Sequence, residues 1–192
     1  MSNWDRQKWE AKYADPAFAP REPSAVLVGL APLLPAAGRA VDVAGGAGRQ
    51  AIWLAQRGLQ VTLVDISPCA LRQAAQRAAA VNIPLTTLEA DLDDPLAFPA
   101  GPWDLIVSVC FLHRPLFATL RDSLAPGGAL VVIQPTRSNL QRHGKPPADF
   151  LLEDGELPTL LAGLTLVHYS EGWQADGRYD AVAVARRNIV GE

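Results

Sequence analysis

The sequence predicts a doubly wound α/β domain, a mostly parallel seven-stranded sheet ending in an antiparallel hairpin. Three observations carry that reading. From residue 39 onward, short apolar runs alternate with helical patterns, which places parallel strands between helices on both faces. The first apolar run, Ala40-Val41-Asp42-Val43, leads straight into a glycine cluster. The last two strand patterns, Leu164 to Ser170 and Arg178 to Ala185, are joined by residues 171–177 alone. That joint is too short for a crossover helix, so the pair must be a hairpin.

In chain order, residues 3–14 form a polar helix with Trp4, Trp9 and Tyr13 on one side. Asp15 to Pro23 holds three prolines and is a loop. A second helix opens at Pro23-Ser24 and runs to about Leu34, weakened at its end by Pro32. After the first strand, Ala47 to Arg57 is a helix stopped by Gly58. Gln60 to Val64 is the second strand. Ser67 caps the next helix with Pro68 at its first position, and the Ala-rich stretch carries it to about Val81. Leu85 to Glu89 and Asp104 to Val109 are strands, Arg114 to Leu124 is helical, and Pro126-Gly127-Gly128 turns into a fifth strand, Ala129 to Ile133.

At 192 residues the chain fits one domain, divided into an N-terminal lid segment (1–22) and a main domain (23–192). The formal net charge is -3 and there is no Lys/Arg run, which argues against a nucleic-acid partner. Cys69 and Cys110 belong to no zinc-spaced cluster, so no metal is expected. The N-terminus is polar, and no apolar run approaches the ~20 residues of a membrane span. A cytoplasmic protein with no membrane partner is the expectation; oligomeric state is left open.

In an open α/β sheet, ligands bind beyond the carboxyl ends of the strands. Here those ends carry Asp42 through Gly48, Asp65, Asp91 and Val109-Cys110. Gly45, Gly46 and Gly48 permit a tight turn and close backbone approach to a ligand. Asp65 can accept both hydroxyls of a ribose. These features also fit a dinucleotide site, since Gly46-x-Gly48-x-x-Ala51 satisfies a degenerate fingerprint. Three others favour a cofactor with a cationic amino-acid end: Asp42 inside strand one, Ala90-Asp91-Leu92 placed to read an adenine edge, and a terminal hairpin with no second catalytic domain.

The chain resembles the class I S-adenosylmethionine-dependent methyltransferases, and within them the small bacterial branch related to tellurite-resistance and thiopurine methyltransferases. The resemblance rests on Trp4-Asp5 with Tyr13, on Val41 through Ala55, on Gly58 through Pro68, on Ala90-Asp91-Leu92, on Pro126-Gly127-Gly128 and on Phe150 through Leu157. It implies a Rossmann-like fold and S-adenosyl-L-methionine as cofactor. Asp42 and the loop Ala44-Gly45-Gly46-Ala47-Gly48 would hold the methionine end and ribose edge. Asp65 would bind the ribose, Ile66 would pack on the adenine face, Ser67 counts with them among the cofactor-binding residues, and Asp91 and Leu92 would read the adenine edge. Val109 and Cys110 would line the sulfonium side, Arg21 would reach the methionine carboxylate, and Trp4 and Tyr13 would close over the cofactor. Two departures stand out: Ala44 replaces the first glycine of the family pattern, and Gly45 stands where the branch has cysteine.

The reaction expected is in-line methyl transfer to a small acceptor, anionic or soft. Such an acceptor needs little base, so positioning can supply most of the catalysis. No Asn/Asp-Pro-Pro-aromatic motif is present, which argues against amino methylation of DNA bases. Candidate acceptor-side residues are His113 and Arg114 after strand four, and Arg137, Arg142 and His143 after strand five: cations for an anion and a His for a proton. Two alternatives stay open, a cofactor-binding protein without transferase activity and a nicotinamide-dependent oxidoreductase.

Overall fold

The computed structural model describes residues 3–18 and 21–189, with side chains from Arg6 onward. Its strands are β1 (Gly38–Val43), β2 (Leu59–Asp65), β3 (Thr86–Glu89), β4 (Trp103–Val109), β5 (Leu124–Pro135), β6 (Thr165–Trp173) and β7 (Tyr179–Arg186). They form one sheet in the order β3-β2-β1-β4-β5-β7-β6. The first five pair in parallel, and β7 runs antiparallel to both β5 and β6. Strand order reverses between β1 and β4, so a crevice opens there beyond their carboxyl ends. Because β7 is antiparallel, its first residues, Tyr179 and Asp180, lie at that same edge.

The helices are α1 (Asn3–Ala14), α2 (Ala25–Gly29), α3 (Arg49–Gln56), α4 (Pro68–Ala80), α5 (Leu116–Asp122) and α6 (Leu157–Leu160). Ser67 caps α4 by accepting from Ala70 N at 3.1 Å, with Pro68 following it. The central strands are buried on both faces, as parallel strands covered by helices must be. One apolar cluster gathers Leu27, Leu54, Leu63, Ala74 and Val107; the other gathers Val64, Leu92, Ile106, Leu120 and Leu157. Burying such a side chain contributes roughly 1.5–3 kcal/mol.

Three details differ from the sequence expectation. The second helix stops at Gly29, and Pro32 sits in a 3₁₀ turn, Ala31–Leu33, because proline cannot donate to a continuing α-helix. Pro126-Gly127-Gly128 does not precede β5 but lies inside it, as an irregularity between the Trp103–Leu124 and Leu105–Ala129 pairings. The single turn α6 is too short to carry a helical period. Among the described residues, no helix is long and apolar enough to cross a membrane.

Candidate functional site

A crevice of about 430 Å³ opens over the carboxyl ends of β1, β2, β3 and β4, lined by Tyr13, Ala44, Asp65, Ile66, Leu92 and Cys110, with Trp9, Ala90 and Phe111 completing the wall.

The glycine loop is built by its own backbone. Gly46 and Gly48 take φ of +57° and +78°, where a side chain would be strained. A Cβ at Gly46 would run into the Tyr13 hydroxyl, and one at Gly48 would sit 2.8 Å from Ala74 Cβ. Ala44 and Cys110, both lining the crevice, also hold positive φ, 51° and 59°. Non-glycine residues in that region cost of order 1–3 kcal/mol and cluster at functional sites.

Asp42 is buried, and its Oδ2 accepts from Ala51 N at 3.0 Å. Burial pushes its pKa up to about 7, against the opposing pull of that bond and of Arg49. Asp65 Oδ2 accepts from Gly46 N at 2.8 Å and its Oδ1 from Ser67 N at 2.9 Å. Burial raises Asp65 as well, against those backbone donors. The second aspartate therefore ties the first glycine turn to the start of α4, in addition to facing the crevice.

Asp91 Oδ1 accepts from Asp93 N at 3.0 Å, while its neighbours Ala90 and Leu92 line the crevice. Val109 is buried at the end of β4. The Cys110 thiol accepts from Arg178 Nη1 at 2.8 Å. Although Cys110 keeps solvent exposure as a residue, crowding around its thiol raises the pKa against the pull of Arg178.

Helix α1 lies across the crevice and is fastened to α4. Glu10 Oε2 accepts from Ser67 Oγ at 2.6 Å and from Cys69 N at 3.1 Å. Gln73 donates to Tyr13 O at 2.6 Å, and Arg6 pairs with Glu89. Tyr13 stacks on Trp9 and meets Phe18 edge-on, and burial beside Asp65 raises its pKa. The Trp4 side chain lies outside the described residues. Arg21 is exposed and makes no hydrogen bond among them.

The acceptor-side candidates are spread along the far edge. His113 Nδ1 lies 3.3 Å from Asp93 Oδ1, and its Nε2 is buried without a hydrogen-bond partner. Arg114 grips Glu156 bidentately at 2.6 and 2.8 Å. Arg137 Nε pairs with Glu153 at 2.7 Å. Arg142 lies 3.8 Å over the Trp173 ring, and His143 Nε2 is 2.7 Å from Gly177 O. These last two fasten the loop after β5 to the hairpin.

Sequence reasoning passed over Glu10, Arg49, Phe111, Arg178 and Asp180. Phe111 extends the Val109-Cys110 strand end by one residue, which was a readable signal. Asp180 was not readable, because only antiparallel pairing to β5 brings it to this edge. It is fully buried beside Arg178, whose Nη2 lies 3.1 Å from its Oδ2.

Residues 40–128 match the methyltransferase domain family. Ribosomal protein L11 methyltransferase of Thermus thermophilus is 33% identical over 116 residues, 58% of this chain and 45% of that protein. The chain spans only about a third to a half of the curated relatives it matches. Among solved structures, TehB from Haemophilus influenzae superposes with a TM-score of 0.70 at 18% identity, covering 95% of this chain and 67% of that one. Magnesium protoporphyrin IX methyltransferase from Synechocystis, crystallised with bound SAH, superposes with a TM-score of 0.68 at 19% identity, covering 96% and 94%. The glycine loop, Asp42, Asp65 and the Asp91 strand end all fall inside the segment that matches the methyltransferase domain family, and the fold is the one these solved structures share.

Proposed function

We propose that this chain transfers a methyl group from S-adenosyl-L-methionine, by in-line displacement, to a small acceptor that is anionic or soft. The carrying observation is the crevice itself: Asp65, Ile66, Ala90 and Leu92 at one end, Cys110 and Phe111 at the other, under Trp9 and Tyr13. Asp65 suits the ribose hydroxyls, Ile66 and Leu92 the adenine, with Asp91 at its edge. Asp42 sits where a cationic amino-acid end would approach. When bound, the cofactor supplies an electrophilic methyl with a neutral leaving group. The protein then has to position the acceptor and keep water out.

Residues 1–22 act as the lid in this reading, since α1 covers the crevice and is held by side-chain bonds that can break. His113, oriented by Asp93, is the proton acceptor where the acceptor carries a proton. An anion reaching Arg114 or Arg137 has to compete with Glu156 or Glu153. The soft-acceptor part rests on the resemblance to the tellurite-resistance and thiopurine branch.

Calorimetry with S-adenosylhomocysteine and NADH tests the cofactor; tighter binding of NADH overturns the reading. Labelled-methyl turnover against selenite, tellurite and small thiols tests the acceptor. Tight cofactor binding with no turnover on any acceptor favours a binding protein instead.

A further inference from the structure

We propose that Glu10 is a positioning residue for cofactor capture: through Ser67 it couples the closing of α1 to the orientation of the Asp65 carboxylate, and so to recognition of a ribose. This deepens the proposed function and rests on it, with α1 as the lid and Asp65 as the ribose acid.

The two residues are joined by a continuous chain of hydrogen bonds. Ser67 Oγ donates to Glu10 Oε2 at 2.6 Å. Ser67 N donates to Asp65 Oδ1 at 2.9 Å, and Gly46 N donates to Asp65 Oδ2 at 2.8 Å. A carboxylate offers about four acceptor positions, so two remain for a vicinal diol, at a tilt fixed by those two amides. The Ser67 hydroxyl has two tasks. It accepts from Ala70 N at 3.1 Å as the cap of α4, and it has to place its own proton. Ser67 has no solvent exposure, and Glu10 is the acceptor that α1 brings to it. The same Glu10 oxygen takes Cys69 N at 3.1 Å, one of the orphan donors of the first turn of α4. Burial pushes Glu10 up, yet the bonds from Ser67 and Cys69 and the charges of Arg72 and Arg6 bring its pKa below the usual value, so it docks as an anion at the positive end of α4. With α1 lifted, Ser67 loses this partner two residues from Asp65. Another fastening of α1, from Gln73 to Tyr13 O at 2.6 Å, bypasses Ser67 and Asp65.

Loosening a lid weakens every ligand beneath it alike, whereas loosening the ribose acid weakens only a ligand that carries the diol. The test therefore compares S-adenosylhomocysteine with its 2′-deoxyribose analogue by calorimetry on wild type, Glu10→Ala, Glu10→Gln, Ser67→Ala and Gln73→Ala. Tryptic cutting at Arg6, Lys8 and Lys12, with and without ligand, reports the lid. We expect Glu10→Ala to cut the preference for ribose over deoxyribose about fivefold. Glu10→Gln, which keeps an oxygen for Ser67, should retain most of that preference, and Gln73→Ala should weaken both ligands in equal proportion. Equal losses for the two ligands in Glu10→Ala, or no loss for either, overturn the coupling. Ser67→Ala removes the middle of the chain and leaves Glu10 in place, so it decides the matter where Glu10→Ala melts early: an unchanged ribose preference there overturns the coupling too. If ligand binds wild type but leaves tryptic cutting unchanged, the lid reading fails, while the ribose preference of Glu10→Ala still judges the connection to Asp65. If S-adenosylhomocysteine does not bind wild type at all, the methyltransferase reading fails and the coupling with it.

Discussion

The two halves of the crevice are built differently. On the β1–β3 side, buried carboxylates are satisfied by backbone: Asp42 by Ala51 N, Asp65 by Gly46 N and Ser67 N. On the β4–β5–β7 side, charge is held by side chains from distant segments: Arg114 by Glu156, Arg137 by Glu153, Asp180 by Arg178. The first half lies inside the matched family segment, and most of the second half lies outside it. Backbone bonds survive changes of side chain, so under the proposed function a cofactor end made that way suits any acceptor. Side-chain pairs can be exchanged one at a time, which suits the end that must be specific.

The strongest way to break this contrast is to remove α1. Deleting residues 1–22 takes away two aromatic walls, each worth roughly 1.5–3 kcal/mol when buried. We expect S-adenosylhomocysteine affinity to fall by about 3 kcal/mol or more while circular dichroism reports a folded sheet. Retained affinity would make α1 a packing element rather than part of the site.

Asp65→Ala comes next. Losing hydrogen bonds to a charged group should weaken cofactor binding by roughly 1.5–3 kcal/mol. The Gly46 and Ser67 amides are orphaned at the same time, so denaturant melts should show a loss of about 1–3 kcal/mol per buried donor. A stability loss with unchanged affinity would confine Asp65 to structure.

Asp42 sharpens the comparison through pH. Its pKa rises from an ordinary 3.8 to about 7 on folding. Between those values the native state binds more protons than the unfolded one, so stability contributed by this group is lost as pH rises from about 4 to 7, then levels off. Asp42→Asn should flatten that slope and melt higher than wild type at pH 8. Cofactor affinity should move oppositely: in wild type it rises through pH 7 as Asp42 ionises to meet a cation, and in Asp42→Asn it is weaker and flat. Titration calorimetry at pH 6 and 8 checks both.

The smallest effects are expected on the other side. Arg114→Ala, Arg137→Ala and Arg142→Ala should each cost about 1 kcal/mol or less in stability, as partly exposed ion and cation–π pairs do. Cofactor affinity should not change. At least one variant should lose acceptor turnover; normal turnover in all three would remove these arginines from the acceptor's contact.

The sequence by itself determined the sheet, its hairpin ending, and the glycine turn and strand-end acids of the β1–β3 half. Those features follow from local patterns: apolar runs of strand length, the Gly46–Gly48 turn, the Ser67-Pro68 cap, and acids at strand ends, all readable within a few residues. Tertiary structure alone decided which charges are free. Arg114 reads in the chain as an uncommitted cation, but Glu156 lies forty-two residues from it and folds onto it. The same holds for Asp180, which reaches the crevice edge because β7 runs antiparallel to β5. Ion pairing depends on which distant segments meet, and that is set by packing rather than by any local pattern.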